Sequence, residues 1–170
     1  MLAVQSSRPL VPFANPGYGY GRAILGSMGG NLGGGLLGSL VASVVAPPPG
    51  PAPSGVQGEV GVDEATQAQA ERADKAWAYL TAAFATLGAA AGAAAAARPQ
   101  DRRPAAIGAA LGTAAGRGVR VWHAHQSAAN IGDPVMLPVG TALVTGPLGT
   151  AAGIAAARHR RYGQAVASLG

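Results

Sequence analysis

The chain alternates between long uncharged runs and short polar stretches, and small residues recur four positions apart inside the runs. The first run, Ala23 to Ala46, holds 24 residues without a charge and stops at Pro47, Pro48 and Pro49. As a helix rising about 1.5 Å per residue it reaches roughly 36 Å, enough to cross a hydrocarbon core of about 30 Å with some tilt. Within it stand Gly26, Gly30, Gly34 and Gly38. In water each interior glycine costs a helix about 0.5–1 kcal/mol relative to alanine, so the spacing has to gain something else. Two readings compete: a flexible Gly-rich linker, or a membrane helix whose glycine face admits a second backbone. A linker has no use for Leu36, Leu37, Leu40, Val41, Val44 and Val45. Residues four apart advance about 40° around a helix, so the stripe winds slowly and suits the close crossing of small-xxx-small pairs. Length and spacing together predict a membrane helix.

The same device recurs. After a Pro/Gly-rich linker over 47–62, "DEATQAQAERADKAWAYL" reads as a polar helix with Asp63 and Glu64 at its start. It runs into a second uncharged stretch of 22 residues, Ala76 to Ala97, with Trp77 and Tyr79 at its entrance and Gly88 and Gly92 in register. "RPQDRRP" then makes a tight polar connection. The third run, Pro104 to Gly116, repeats the pattern with Gly108, Gly112 and Gly116 but holds only 13 uncharged residues. At roughly 20 Å it crosses only if Arg117 and Arg120 snorkel or face protein, carrying the helix on to Trp122. The fourth, Pro134 to Ala157, has 24 uncharged residues with Gly149 and Gly153, and closes on "RHRRYG". Pro138 and Pro147 predict kinks there.

The pattern predicts an all-α membrane protein: about four glycine-zippered transmembrane helices, plus a polar helix before the second span. Residues 1–22 form a polar N-terminal segment, 23–161 the membrane domain and 162–170 a C-terminal tail.

Composition supports this. Of the 170 residues 49% are hydrophobic, but alanine carries that figure, and only 11% are charged against about 25% in a typical soluble domain. A water-soluble bundle with an Ala/Gly core would bury too little area, at about 25 cal/mol/Å², to offset chain entropy. The net charge of +5 comes almost wholly from arginine, Lys75 being the single lysine. Those arginines sit in small groups between apolar runs, which argues against nucleic acid as a partner. With no cysteine, disulfides, zinc-thiolate sites and cysteine nucleophiles are excluded. The first 22 residues carry two arginines and no acid, as in a mitochondrial presequence, but Pro9, Pro12 and Pro16 interrupt any amphipathic helix there.

Candidate chemistry is sparse. His123 and His125, two apart, fall on different faces of a helix and read as a solvated or interfacial loop rather than a metal site. "GYGYG" at 17–21 lacks the G-x-G-x-x-G spacing of a phosphate loop and reads as an aromatic interfacial turn. Asp101 reads as a local charge pair with Arg98, Arg102 and Arg103. Arg117 and Arg120 read either as snorkelling cations or as ligands for lipid phosphate or a partner's carboxylate, and with Arg98 and Asp101 they form the candidate set for lipid or partner docking. No catalytic, cofactor or metal site is expected, and the chain reads as a non-enzyme.

The arrangement resembles the mitochondrial preprotein and amino acid transporter family. That group includes the channel subunits of inner-membrane preprotein translocases and a four-helix accessory subunit of respiratory complex I. The carrying stretch is "RPQDRRPAAIGAALGTAAGRGVR", with Arg98, Asp101, Gly108, Gly112, Gly116 and Arg120. It departs from the family's link in placing Asp101 one residue early and Gln100 where lysine is usual. The resemblance implies four short helices, an inner-membrane location and termini in the intermembrane space. A positive-inside count implies the opposite: the N-terminus, second loop and C-terminus carry eight Lys/Arg (2 + 3 + 3), the first and third loops four (2 + 2). The expected function is a non-catalytic accessory subunit in the membrane arm of complex I, with other membrane subunits and phospholipid as partners. A preprotein-translocase-like channel subunit and a bacterial or viral pore or holin-like protein are the alternatives.

Overall fold

The computed structural model describes residues 17–47, 64–126 and 136–168. Most of the N-terminal segment and the Pro-rich linker lie outside the described residues. Four helices account for nearly all of what is described: α1 (Gly17–Val45), α2 (Glu64–Ala96), α3 (Arg102–Gln126) and α4 (Met136–Ala167). No strand occurs among the described residues.

Each boundary has a local cause. Leaving α2, Arg98 is extended (φ −62°, ψ 149°), as the residue before a proline prefers. Pro99–Asp101 then form one 3-10 turn that delivers the chain into α3. Pro138 falls in the first turn of α4, where no intrahelical N–H is required of it. Pro147 lies inside α4, and the helix continues through it.

The helices pack as an antiparallel ring in chain order. α1 lies along α2, α2 beside α3, α3 along α4, and α4 closes on to α1, with little diagonal contact between α1 and α3. The α2–α3 turn therefore shares one end of the bundle with the start of α1 and the end of α4. Gly19 lies against Arg98 and Arg158 there.

The interior is the reverse of a soluble core. Fully buried positions are small, such as Ala23, Ala42, Ala89, Ala105 and Ala109, and the largest fully buried side chain is Ile154. The leucines point outward: Leu36 is 69% exposed, Leu87 68% and Leu111 68%. In water that apolar surface would be costly; facing lipid it costs nothing. Three helices, α1 (over Gly19–Val45), α2 and α4 (over Gly140–Gln164), are long and apolar enough to cross a membrane. The chain is an all-α protein that reads as multi-pass membrane.

Several boundaries differ from expectation. Gly17–Gly21 is not an aromatic turn but the opening of α1. The polar helix does run into the second span as expected, the two forming one continuous 33-residue helix, since nothing between Glu64 and Ala96 breaks it. His123 and His125 lie on the last turns of α3 rather than in a loop, since no proline or glycine interrupts the chain between Gly118 and Gln126. α4 extends through Ala167, taking in most of the expected tail. α3 is not among the apolar spans: its 25 residues suffice in length, but its hydropathy falls short.

Candidate functional site

Two glycine seams and two polar junctions organise the bundle. In the first seam Gly26 faces Gly92 and Gly30 faces Gly88, so closely that a methyl on any of the four would overlap the opposing backbone carbonyl. Gly34 abuts Phe84 and Ala85, and at Gly38 a Cβ would lie 2.8 Å from the Leu80 oxygen. The second seam joins α3 to α4: Gly108 faces Gly149, Gly112 meets Thr145, Gly116 meets Ala142 and Thr145, and Gly153 meets the Pro104 carbonyl. All eleven glycines singled out by spacing thus lie on helix contacts, and they form two separate seams. Gly29 and Gly33 of α1 face open space instead.

The first polar junction is at the centre of the bundle. Asn31 occupies the midpoint of α1 and is 1% exposed. Arg117 of α3 is 6% exposed and donates from Nη2 to Asn31 Oδ1 at 3.0 Å. The absence of a Cβ at Gly35 makes room, since one there would lie 3.1 Å from Arg117 Nη2. Three other buried polar side chains are less demanding. Ser27 donates to the Ile24 carbonyl, Thr81 to that of Trp77 and Thr150 to that of Gly146, each within its own helix. Thr141 instead donates across helices, to the Gly116 carbonyl at 3.1 Å.

The second junction is at the end shared by the α2–α3 turn. Asp101 is 2% exposed and accepts from Arg158 Nη2 of α4 at 2.8 Å. Arg161 Nη1 approaches its other oxygen at 3.5 Å, and Arg161 also donates to the Gln100 carbonyl. The Arg158 guanidinium lies over the Tyr20 ring of α1, 4.5 Å from its centroid. Asp101 also stands where the amino end of α3 favours negative charge. One carboxylate thus ties together the starts of α1 and α3 and the end of α4.

No protein-family model, curated protein or solved structure matches this chain. The functional reading therefore rests on the geometry and on the resemblance carried by the α2–α3 link.

One expectation changes and one alternative is decided. Asp101 does not pair with Arg98, Arg102 and Arg103; its partners come from α4, because the 3-10 turn aims the carboxylate inward while Arg102 and Arg103 point outward. Of the two ways in which Arg117 could be carried within the third run, snorkelling or facing protein, it takes the second: it is 6% exposed, enclosed within the bundle and bonded to Asn31. The side chain of Arg120 lies outside the described residues. Sequence reasoning missed Asn31, Tyr20, Arg158 and Arg161. Asn31 could have been flagged as the one amide in the first uncharged run. The other three carried no local signal, since their partner lies far away in the chain.

Proposed function

We propose that this chain is a non-catalytic membrane subunit that acts by packing within a larger assembly, of the kind represented by the four-helix accessory subunit of respiratory complex I. The observation that carries this reading is the division of surfaces. Small residues and hydrogen-bonding groups are used inside the ring, while Leu36, Leu40, Leu87, Leu111 and Leu148 face outward. Such a unit holds its own shape and presents an apolar exterior to lipid and neighbouring helices. The mitochondrial inner membrane follows from the resemblance of Arg98, Asp101, Gly108, Gly112, Gly116 and Arg120 to that family's link and third helix.

The test is extraction of the tagged chain in mild detergent, a native gel, and mass spectrometry of whatever co-migrates. Core subunits of complex I in one megadalton-scale band support the reading. Gly30→Leu and Gly34→Leu are then expected to remove the chain from that band while any surviving complex keeps its turnover. A small homo-oligomer, or a band containing presequence receptors, overturns it in favour of a pore or translocase.

A further inference from the structure

The charges are divided unequally between the two ends of the bundle. At the end holding the α2–α3 turn, each helix contributes arginine. Arg22 projects from α1, and Arg98 follows the end of α2. Arg102 and Arg103 open α3, and both are exposed. On α4, Arg158 and Arg161 flank Asp101 and the exposed Arg160 lies between them. Against these seven arginines the described residues at this end hold one acid, the buried Asp101. The opposite end is balanced: Arg72, Lys75 and Arg120 stand against Glu64, Glu71 and Asp74.

Helix energetics do not account for the arginine end. Cations in the first turn of α3 oppose its dipole, so Arg102 and Arg103 are placed against the local preference. Asp101 neutralises part of Arg158 and Arg161 but lies inward of Arg102, Arg103 and Arg160. What remains is a collar of exposed guanidinium groups at one mouth of a membrane bundle. Guanidinium groups bind phosphate in planar, two-pronged fashion, and basic residues beside a membrane are drawn to anionic headgroups.

We propose that this arginine collar binds anionic phospholipid headgroups, and that it sets the chain's orientation with the start of α1, the α2–α3 turn and the end of α4 on the more anionic, negative-inside face. This rests only on the membrane-spanning reading and not on the identity of any assembly. It gives the opposite orientation to the one implied by the transporter-family resemblance.

Two measurements test it on the full chain. Purified protein in nanodiscs of phosphatidylcholine with a minor fraction of phosphatidylglycerol is released in detergent, and retained lipid is counted by native mass spectrometry. Neutralising one collar arginine is expected to weaken retention by about fivefold. Arg102→Gln with Arg103→Gln is therefore expected to lose nearly all bound phosphatidylglycerol, while Arg72→Gln with Lys75→Gln keeps it. Equal retention in both pairs, or equal retention of phosphatidylcholine, overturns the collar. Orientation is read separately, and the chain's lack of cysteine leaves no background. In intact cells or organelles, an impermeant maleimide is expected to reach Pro47→Cys directly and Gln100→Cys only after permeabilisation. The reverse pattern overturns the orientation. Neither readout depends on what co-migrates in a native gel, so this proposal and the assembly role fail separately.

Discussion

Arg117 of α3 reaches Asn31 of α1 with a 3.0 Å hydrogen bond between two side chains buried at the middle of the bundle and 86 positions apart. The two helices otherwise scarcely touch, so this bond spans the diagonal of the ring. A hydrogen bond to a charged donor is worth about 1.5–3 kcal/mol, and its loss leaves the guanidinium without that acceptor.

Asn31→Leu is accordingly expected to destabilise the bundle by about 2 kcal/mol. Adding Arg117→Met to the same chain removes the buried charge as well and is expected to recover part of that loss. Thermal melts in one detergent, compared around the double-mutant cycle, check this. Strictly additive losses would mean that the bond does not couple the helices.

The glycine seams make a sharper prediction, because α1 carries its own control. Gly30→Ala puts a methyl into the Gly88 carbonyl, and the helices must part to admit it. Overpacking of this kind costs about 1–3 kcal/mol. Gly33→Ala, three residues on, meets open space and adds helix propensity, a gain of up to about 1 kcal/mol. Opposite shifts in melting temperature are the expected result; equal shifts would show that glycine at these positions answers to propensity alone.

The helices and the glycine stripes were legible because a membrane helix writes its contacts locally. Length without charge marks the span, and four-residue spacing marks the face, as Gly26 to Gly38 show. Which stripe meets which is not local: that Gly30 meets Gly88 and Gly108 meets Gly149 follows from the antiparallel ring. The polar partners were less visible still. Asp101 stands among nearby arginines in sequence, yet it bonds to Arg158, 57 residues away, because one 3-10 turn decides where its carboxylate points. Arg117 marked the end of the third uncharged run, and its length already required that arginine to snorkel or face protein, but nothing in the sequence named Asn31 as its partner.

The outward leucines separate a lipid-facing surface from a water-facing one. In water an exposed Leu36→Gln change would be harmless. In a bilayer it moves a polar amide into hydrocarbon, which costs on the order of 2 kcal/mol or more. Carbonate extraction of the variant membranes is expected to release Leu36→Gln or Leu111→Gln more readily than the parent. Unchanged retention of both would place these faces in water or against protein.

The Asp101 junction is the last relationship with a measurable consequence. Its carboxylate is 2% exposed and Arg158 is 22% exposed, so the pair is shielded on one side only and deserves less than a fully buried bridge would. Asp101→Asn keeps the shape, removes the charge facing two guanidinium groups, and is expected to cost about 1–3 kcal/mol. Arg158→Gln removes the same bond together with the stacking on Tyr20, itself worth about 0.5–1 kcal/mol at a partly exposed site. The double variant is therefore expected to lie close to Arg158→Gln alone, because once Arg158 is gone Asp101 retains only the more distant Arg161. Tyr20→Leu supplies the remaining comparison: it should lower the melting temperature of the parent and leave that of Arg158→Gln unchanged. If Tyr20→Leu acts equally in both backgrounds, the ring does not hold Arg158, and the stacking does not fix the start of α1 to the end of α4.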